Sequence, residues 1–204
     1  SLDEALVTLI RKELGLEKRR VMRLTTPADL SYVYALENRL PATRKAQLTF
    51  PPFEPQPSPM VDLSRPMRPQ VEDHDVLLTY PYESMRPLLR LLREASADDS
   101  CIQIKVTLYR VAKSSHLCES LIAAAEAGKD VTVLMELRAR FDEANNIAWA
   151  ERLEDAGCTV IYGSEGFKCH SKICQLTYRE GMALTRLTLL GTGNFNEKTA
   201  KLYS

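Results

Sequence analysis

"CIQIKVTLYRVAKSSHLCESLIAAAEAGKDVTVLMEL", residues 101–137, decides the fold. Residues 101–110 form a nearly continuous apolar, β-branched run that reads as a buried strand. "HLCESLIAAAEAGK" reads as a helix ended by Gly128, and "DVTVLMEL" is a second strand. Two buried strands joined by a helix imply a parallel pair with a crossover, because only the helical return brings the chain back in the same direction.

The pattern continues on both sides. "ANNIAWAERLEDAG" (144–157) reads as a helix ended by Gly157, and "CTVIYG" (158–163) as a strand. Upstream, "DVLLTYP" (75–81) reads as a buried strand. "YESMRPLLRLLREAS" (82–96) reads as a helix that tolerates Pro87 in its first turn. Downstream, "HSKICQLTYR" (170–179) and "LTRLTLLGTGN" (184–194) face each other across "EGMA" as a hairpin. The expectation for this part is an α/β domain, a mixed sheet flanked by helices with an antiparallel ending. No internal repeat is visible.

The first 72 residues differ. Leu2, Leu6, Leu9, Ile10 and Leu14 fall at helical spacing with Asp3 and Glu4 in the first turn. A second helix is expected from Pro27 to about Leu40, with Thr26 as its cap. "FPPFEPQPSPMVDLSRPMRP" (50–69) holds seven of the eleven prolines and reads as an extended linker or a surface-hugging arm.

Composition narrows the function. Acidic and basic residues balance at 27 each in a chain of 204 residues, so a bulk electrostatic nucleic-acid binder is disfavoured and any anion site must be local. Five cysteines without a regular framework fit free thiols in a reducing cytosol. No apolar run approaches the roughly 20 residues that span a bilayer, and the N-terminus lacks the apolar centre of a signal peptide.

Four stretches can carry chemistry. In "TLYRVAKSS" (107–115), Arg110 stands at the carboxyl end of a strand, where α/β sheets build sites. Taken alone it is more simply an arginine leaving a strand into solvent. In "ELRARFDEANN" (136–146), Arg140 follows Arg110 by one helix and one strand. Adjacent parallel strands would place both guanidiniums on one rim, able to grip a phosphate or to join a local salt-bridge cluster. In "GFKCHSKICQL" (166–176), strand alternation puts His170 and Lys172 on one face and Cys169 on the other. A lone H-x-K is a weak signal, since most such histidines simply pack. A zinc site from Cys169, His170 and Cys174 is disfavoured by that alternation and by the lack of a C-x2-C pair. In "LLGTGNFNEKTAKLY" (189–203), Gly191 and Gly193 permit close backbone approach, and Asn194 offers an amide. The simpler reading there is a turn after a strand.

Taken together these stretches resemble the long, phosphohistidine-type polyphosphate kinases. "IKVTLYRVAKSS", "ELRARFDEANNIAWAERLEDAG", "GFKCHSK" and "LLGTGNFNEKTAKLY" match that family's segments densely and in order. "RLTTPADLSYVYAL" and "FPPFEPQPSP" look like the end of its head domain and its exit arm. The resemblance implies residues 1–49 as the C-terminal part of a head domain, 50–72 as a connecting arm, and 73–204 as the first of two phospholipase D-like catalytic domains. The second catalytic domain and the front of the head domain are expected to be absent. Ser1 and Ser204 would then be cut points, and the piece would be inactive alone.

The same resemblance implies site roles and partners. His170 would be the phosphorylated nucleophile, with Lys172 and Asn194 beside it. Arg110 and Arg140 would hold a magnesium-bound phosphate without ligating the Mg²⁺ ion, and Tyr203 would contact ATP. Imidazole suits this work because its unperturbed pKa is about 6.5. The partners implied are ATP, ADP, inorganic polyphosphate and the missing second catalytic domain. The full-length protein would be a homo-oligomer without nucleic acid or an integral membrane segment, cytoplasmic or peripheral to the membrane. Phospholipase D motifs continue H-x-K-x4-D, but position 177 is Thr177, which favours the kinase over a phosphodiesterase or nuclease. A non-catalytic polyanion-binding module and a zinc-structured domain stay open as well, and the arginine segments favour the kinase over both.

Overall fold

A computed structural model describes residues 3–51, 53–139, 141–163 and 166–202. The chain divides into two compact units, Ser1–Pro52 and Phe53–Ser204.

The first unit carries helices α1 (Glu4–Glu13), α2 (Tyr32–Arg39) and α3 (Ala42–Leu48). Asp3 caps α1 by accepting the Ala5 N–H at 2.7 Å, while Arg11 and Lys12 complement the dipole at its other end. Helix α2 begins at Tyr32 and not at Pro27. Asp29 takes the Ser31 N–H at 2.8 Å, a local turn that competes with helix. The same hydrogen bond holds the Asp29 carboxyl below its ordinary range. Among the described residues of this unit none is buried, including Leu6, Leu9 and Ile10 of the α1 apolar stripe.

The second unit is built on a five-stranded sheet ordered β3-β2-β1-β4-β5. Its strands are β1 (Cys101–Leu108), β2 (Asp130–Met135), β3 (Thr159–Tyr162), β4 (Ile173–Glu180) and β5 (Ala183–Leu190). The first three are parallel; β4 pairs antiparallel with β1, and β5 antiparallel with β4. Helices α5 (Arg86–Ala97), α6 (His116–Glu126) and α7 (Glu143–Asp155) alternate with the parallel strands. The mixed α/β architecture matches the sequence expectation, and Pro87 does fall in the first turn of α5.

The crossovers form for local reasons. Ser115 accepts the Cys118 N–H and caps α6, while Gly128 (φ +82°) and Gly157 (φ +92°) take the left-handed turns that end α6 and α7. Leu88, Leu91 and Leu92 of α5 share a core with Ile104 and Val106 of β1, Val131 and Val133 of β2, and Leu117 and Leu121 of α6. Each such side chain contributes about 1.5–3 kcal/mol when fully buried.

Upstream of β1 one expectation fails and another is refined. Residues 75–79 are irregular, not a strand, and Leu77 is 72% exposed. The backbone there bonds to side chains instead of a ladder: the Leu77 N–H meets Met60 Sδ and the Thr79 N–H donates to Glu83. A short apolar run next to a proline carries no periodicity that distinguishes strand from loop. The proline-rich arm also ends in a helix, α4 (Met67–Asp73), begun by Pro66. The Met67 N–H donates to Glu94 of α5 at 2.6 Å and its side chain enters the core. Gln70 accepts the Asp62 N–H and donates to the Asp62 and Pro66 carbonyls. This stretch therefore hugs the domain surface.

Arg68 clasps α4 to the sheet. Its guanidinium donates to Glu72 (2.7 Å), Ser100 (2.8 Å) and Glu180 (2.5 Å), and lies 4.1 Å over the Tyr178 ring. Burial pushes the Tyr178 hydroxyl above its ordinary value. Arg68→Met would leave Glu72 and Glu180 without their shared cation. It is expected to cost about 1–3 kcal/mol, read as a lower urea midpoint; an unchanged midpoint would show the clasp to be ornamental.

Candidate active site

The reversal of chain direction between β1 and β4 creates a rim. In the antiparallel register Val106 stands opposite Cys174, so the segment entering β4 lies beside the chain leaving β1. His170 and Lys172 arrive on the entering segment, Tyr109 and Arg110 on the leaving one. The end of β5 adds Gly191, Gly193 and Asn194.

Thr107 pins the two segments together. Its hydroxyl donates to the Ser171 carbonyl (2.7 Å) and accepts the Ile173 N–H (3.0 Å). Glu136, 2% exposed, works from the next strand. One of its oxygens accepts the Arg138 N–H (2.9 Å) and the other the Cys169 N–H (3.1 Å). Gly163 must lack a side chain here, because a Cβ would stand 2.9 Å from Glu136 Oε2.

The loop after β1 is held carbonyl by carbonyl. Asn146 donates to the Tyr109 carbonyl (2.7 Å), Asn196 to Arg110 (3.2 Å), Asn145 to Val111 (2.9 Å) and the Trp149 indole to Ala112 (2.9 Å). Three of those donors stand on α7. They replace the ladder partners that an irregular buried segment lacks. Phe141, just ahead of α7, has φ +73°, a conformation unusual for a bulky residue.

His170 is exposed, and its ring meets Tyr109 edge-on with centroids 5.3 Å apart. Strand alternation predicts His170 and Lys172 on one strand face, yet β4 begins only at Ile173. Lys172 is 5% exposed. Its ammonium reaches back to donate to the His170 carbonyl and lies 5.5 Å from the Tyr109 centroid. The two side chains therefore converge on Tyr109 by different routes. Burial lowers the Lys172 ammonium from its ordinary 10.5.

The Lys172 carbonyl accepts the Gly191 N–H at 2.8 Å. A Cβ at Gly191 would stand 3.3 Å from Lys172 Cβ and 3.1 Å from the Gly193 carbonyl, so the glycine permits this approach. Asn194 Oδ1 is buried without a hydrogen-bond partner among the described residues. Arg110 donates to Asp142 at 2.5 Å, and its guanidinium lies 5.7 Å from the Tyr109 centroid. Arg140 and Tyr203 lie outside the described residues.

The cysteines do not converge on His170. Cys174 is buried in the core, and burial pushes its thiol up to about 12, whereas Cys169 Sγ lies 3.5 Å from Ser171 Oγ. Among the described residues no cluster of His, Cys, Asp and Glu is arranged to hold a metal ion. The rim thus presents an imidazole beside an ammonium and a guanidinium, a set suited to nucleophilic attack on an anionic, phosphate-like group.

A family model described as polyphosphate kinase C-terminal domain 1 matches residues 67–204. The chain belongs to the polyphosphate kinase family. The match takes in α4 to α7 and all five strands. A polyphosphate kinase of Staphylococcus haemolyticus is 46% identical over 191 residues, covering 94% of this chain and 26% of that protein. One of Rhodopirellula baltica is 42% identical over 192 residues, covering 94% of this chain and 22% of that protein. The crystal structure of polyphosphate kinase from Porphyromonas gingivalis superposes with TM-score 0.70 at 32% identity, covering 95% of this chain and 31% of that one. The chain thus spans about a quarter of the length of the curated polyphosphate kinases it matches.

Sequence reading missed Tyr109, although it stands beside Arg110, because a tyrosine ending a strand is ordinary until its ring is seen against His170. Thr107 was likewise visible only as a strand residue, and Glu136 only as one of the charges crowding a strand end. Replacing Glu136 with glutamine sets an amide NH₂ against one of the N–H groups that the carboxylate accepts. Glu136→Gln is expected to cost about 1–3 kcal/mol and to speed amide exchange at Cys169 and His170. Unchanged exchange at both would mean that Glu136 does not order the segment.

Lys172 gives a pH test. Its folded-state value is lowered, so the unfolded chain binds more protons between that value and 10.5. The stability it contributes is full above 10.5 and is lost as pH falls through the lowered value, which leaves a cost at neutral pH. Lys172→Met is expected to raise the urea midpoint at pH 7, with the gain shrinking toward pH 10.5. A midpoint lowered at both would reverse the assignment.

Proposed function

We propose that the complete protein transfers the γ-phosphate of ATP to inorganic polyphosphate, reversibly, through a phosphohistidine at His170. The observation that carries this reading is the exposed His170 imidazole set edge-on against Tyr109, with the Lys172 ammonium and the Arg110 guanidinium flanking that same ring. In the first step an imidazole nitrogen forms a bond to the γ-phosphorus, the bond to the bridging oxygen breaks, and ADP leaves. In the second, the terminal oxygen of polyphosphate attacks, and the N–P bond breaks. The transferred group carries spread negative charge and needs fixed positive charge and positioning more than covalent help. Lys172 and Arg110 supply that charge, with Arg140 the expected second guanidinium and Tyr203 an expected ATP contact.

Asn194 is read as an amide beside the nucleophile, consistent with its unpartnered oxygen. The described residues offer no three-ligand metal cluster, so Mg²⁺ would enter on the nucleotide phosphates, and no step here depends on it. Residues 1–49 are read as the end of a head domain, 50–72 as the connecting arm and 73–204 as the first catalytic domain, with a second catalytic domain completing the site. The whole is read as a cytoplasmic homo-oligomer on the strength of the family alone; no helix among the described residues is long and apolar enough to cross a membrane. Thr177 is buried in β4, which leaves the acid position of a phospholipase D motif unfilled and supports the kinase over the phosphodiesterase.

The test uses a protein extended to the length of its curated relatives and ATP labelled at the γ-phosphate. Wild type is expected to acquire an acid-labile, base-stable label that ADP removes, and His170→Ala to acquire none. Label retained by that variant would move the nucleophile elsewhere.

A further inference from the structure

A second basic surface lies along the outside of the helical layer. A groove of about 500 Å³ runs between α5 and α6 and is lined by Arg86, Arg90, Arg93, Leu89, His116 and Glu119, among others. The three arginines fall at helical spacing on one face of α5, Arg86 and Arg93 roughly 10 Å apart along its axis. Arg90 is held by Glu94 at 2.6 Å. Arg86 and Arg93 are exposed and have no side-chain ion pair among the described residues. Among the described residues the one acid lining the groove, Glu119, is engaged by His116 at 2.9 Å.

We propose that this groove binds a linear inorganic polyanion, a stretch of polyphosphate chain away from its reacting end. Three features select that ligand. Guanidiniums at successive turns match an evenly charged chain, each able to grip two phosphate oxygens. Among the described residues no Phe, Tyr or Trp lines the groove, which leaves the His116 imidazole as the one ring among them on which a base could stack and favours an inorganic polyanion over single-stranded nucleic acid. The start of α6 also lies on the side of the sheet where β1 ends, since α6 returns the chain from the end of β1 to the start of β2. Arg86 and His116 are the first residues of their helices, and the start of α6 is tied to the loop after β5 by Glu197, which accepts from Leu117 N–H at 3.0 Å and Ser115 Oγ at 3.2 Å. A chain whose end reacts at His170 would lie along α5 and α6 and stay bound between transfers.

The identity of the ligand rests on the proposed polyphosphate kinase activity, but the test reads binding alone. Long-chain polyphosphate is titrated onto the 204-residue chain, onto Arg86→Gln/Arg93→Gln and onto the surface control Arg179→Gln/Arg186→Gln. Loss of two charge-assisted contacts is expected to weaken binding by about tenfold or more and to flatten its salt dependence. The control is expected to stay near wild type, and orthophosphate to compete poorly. Equal affinity in the Arg86/Arg93 variant, equal loss in the control, or single-stranded DNA bound as tightly with the same arginine dependence would each overturn the proposal. If only the labelling of His170 fails, the groove stands; if only the arginine dependence fails, the phosphohistidine stands.

Discussion

The antiparallel pairing of β4 against β1 is the constraint on which the site depends. Parallel strands alone would deliver Tyr109 and Arg110 to one edge of the sheet and leave the segment before β4 at the other. Reversing β4 brings its entrance to their side, and Thr107 fixes the register with two hydrogen bonds. A slip of one residue would turn Lys172 outward and drive Ile173 into the place of Lys172, exchanging an ammonium for a methyl-rich side chain. The buried alternation of Lys172, Cys174 and Leu176 opposes that slip with the whole apolar face of the strand.

Arginine performs different work in different surroundings. Arg68 sits over an aromatic ring among several acceptors and acts as a structural fastener. Arg110 is aimed by Asp142 while the hydrogen-bonded backbone beneath it fixes where it starts. Arg86 and Arg93 keep their charge toward water. A chain with no net charge can thus present a local positive field where arginines gather on one helix face.

How much of this was legible in the sequence depended on the kind of signal. The crossover units were readable because each combined a continuous apolar run with a helix ended by glycine, two independent signals that agreed. Residues 75–81 read as a strand on the strength of their leucines, yet so short an apolar run has no period, and Pro81 beside it is the stronger signal. Helix α2 starts later than its sequence suggests because Pro27 is a good first helical residue, while the Asp29–Ser31 turn that prevents it looks like ordinary polar sequence. In the site, His170, Lys172, Arg110 and Asn194 were readable as residues and as order. Their mutual arrangement was not, because it runs through Tyr109 and Glu136, whose partners lie 61 and 33 residues away.

The four carbonyls of residues 109–112 have a further consequence. Each is held by a side chain of another segment, three of them from one face of α7. Such a loop has no private route to opening, because it can move only when those donors move. It belongs to the cooperative unit of α7, so rigidity is imposed on it from a helix behind the sheet edge and not from within. The loop that carries Arg110 is thereby as stiff as the helix that holds it.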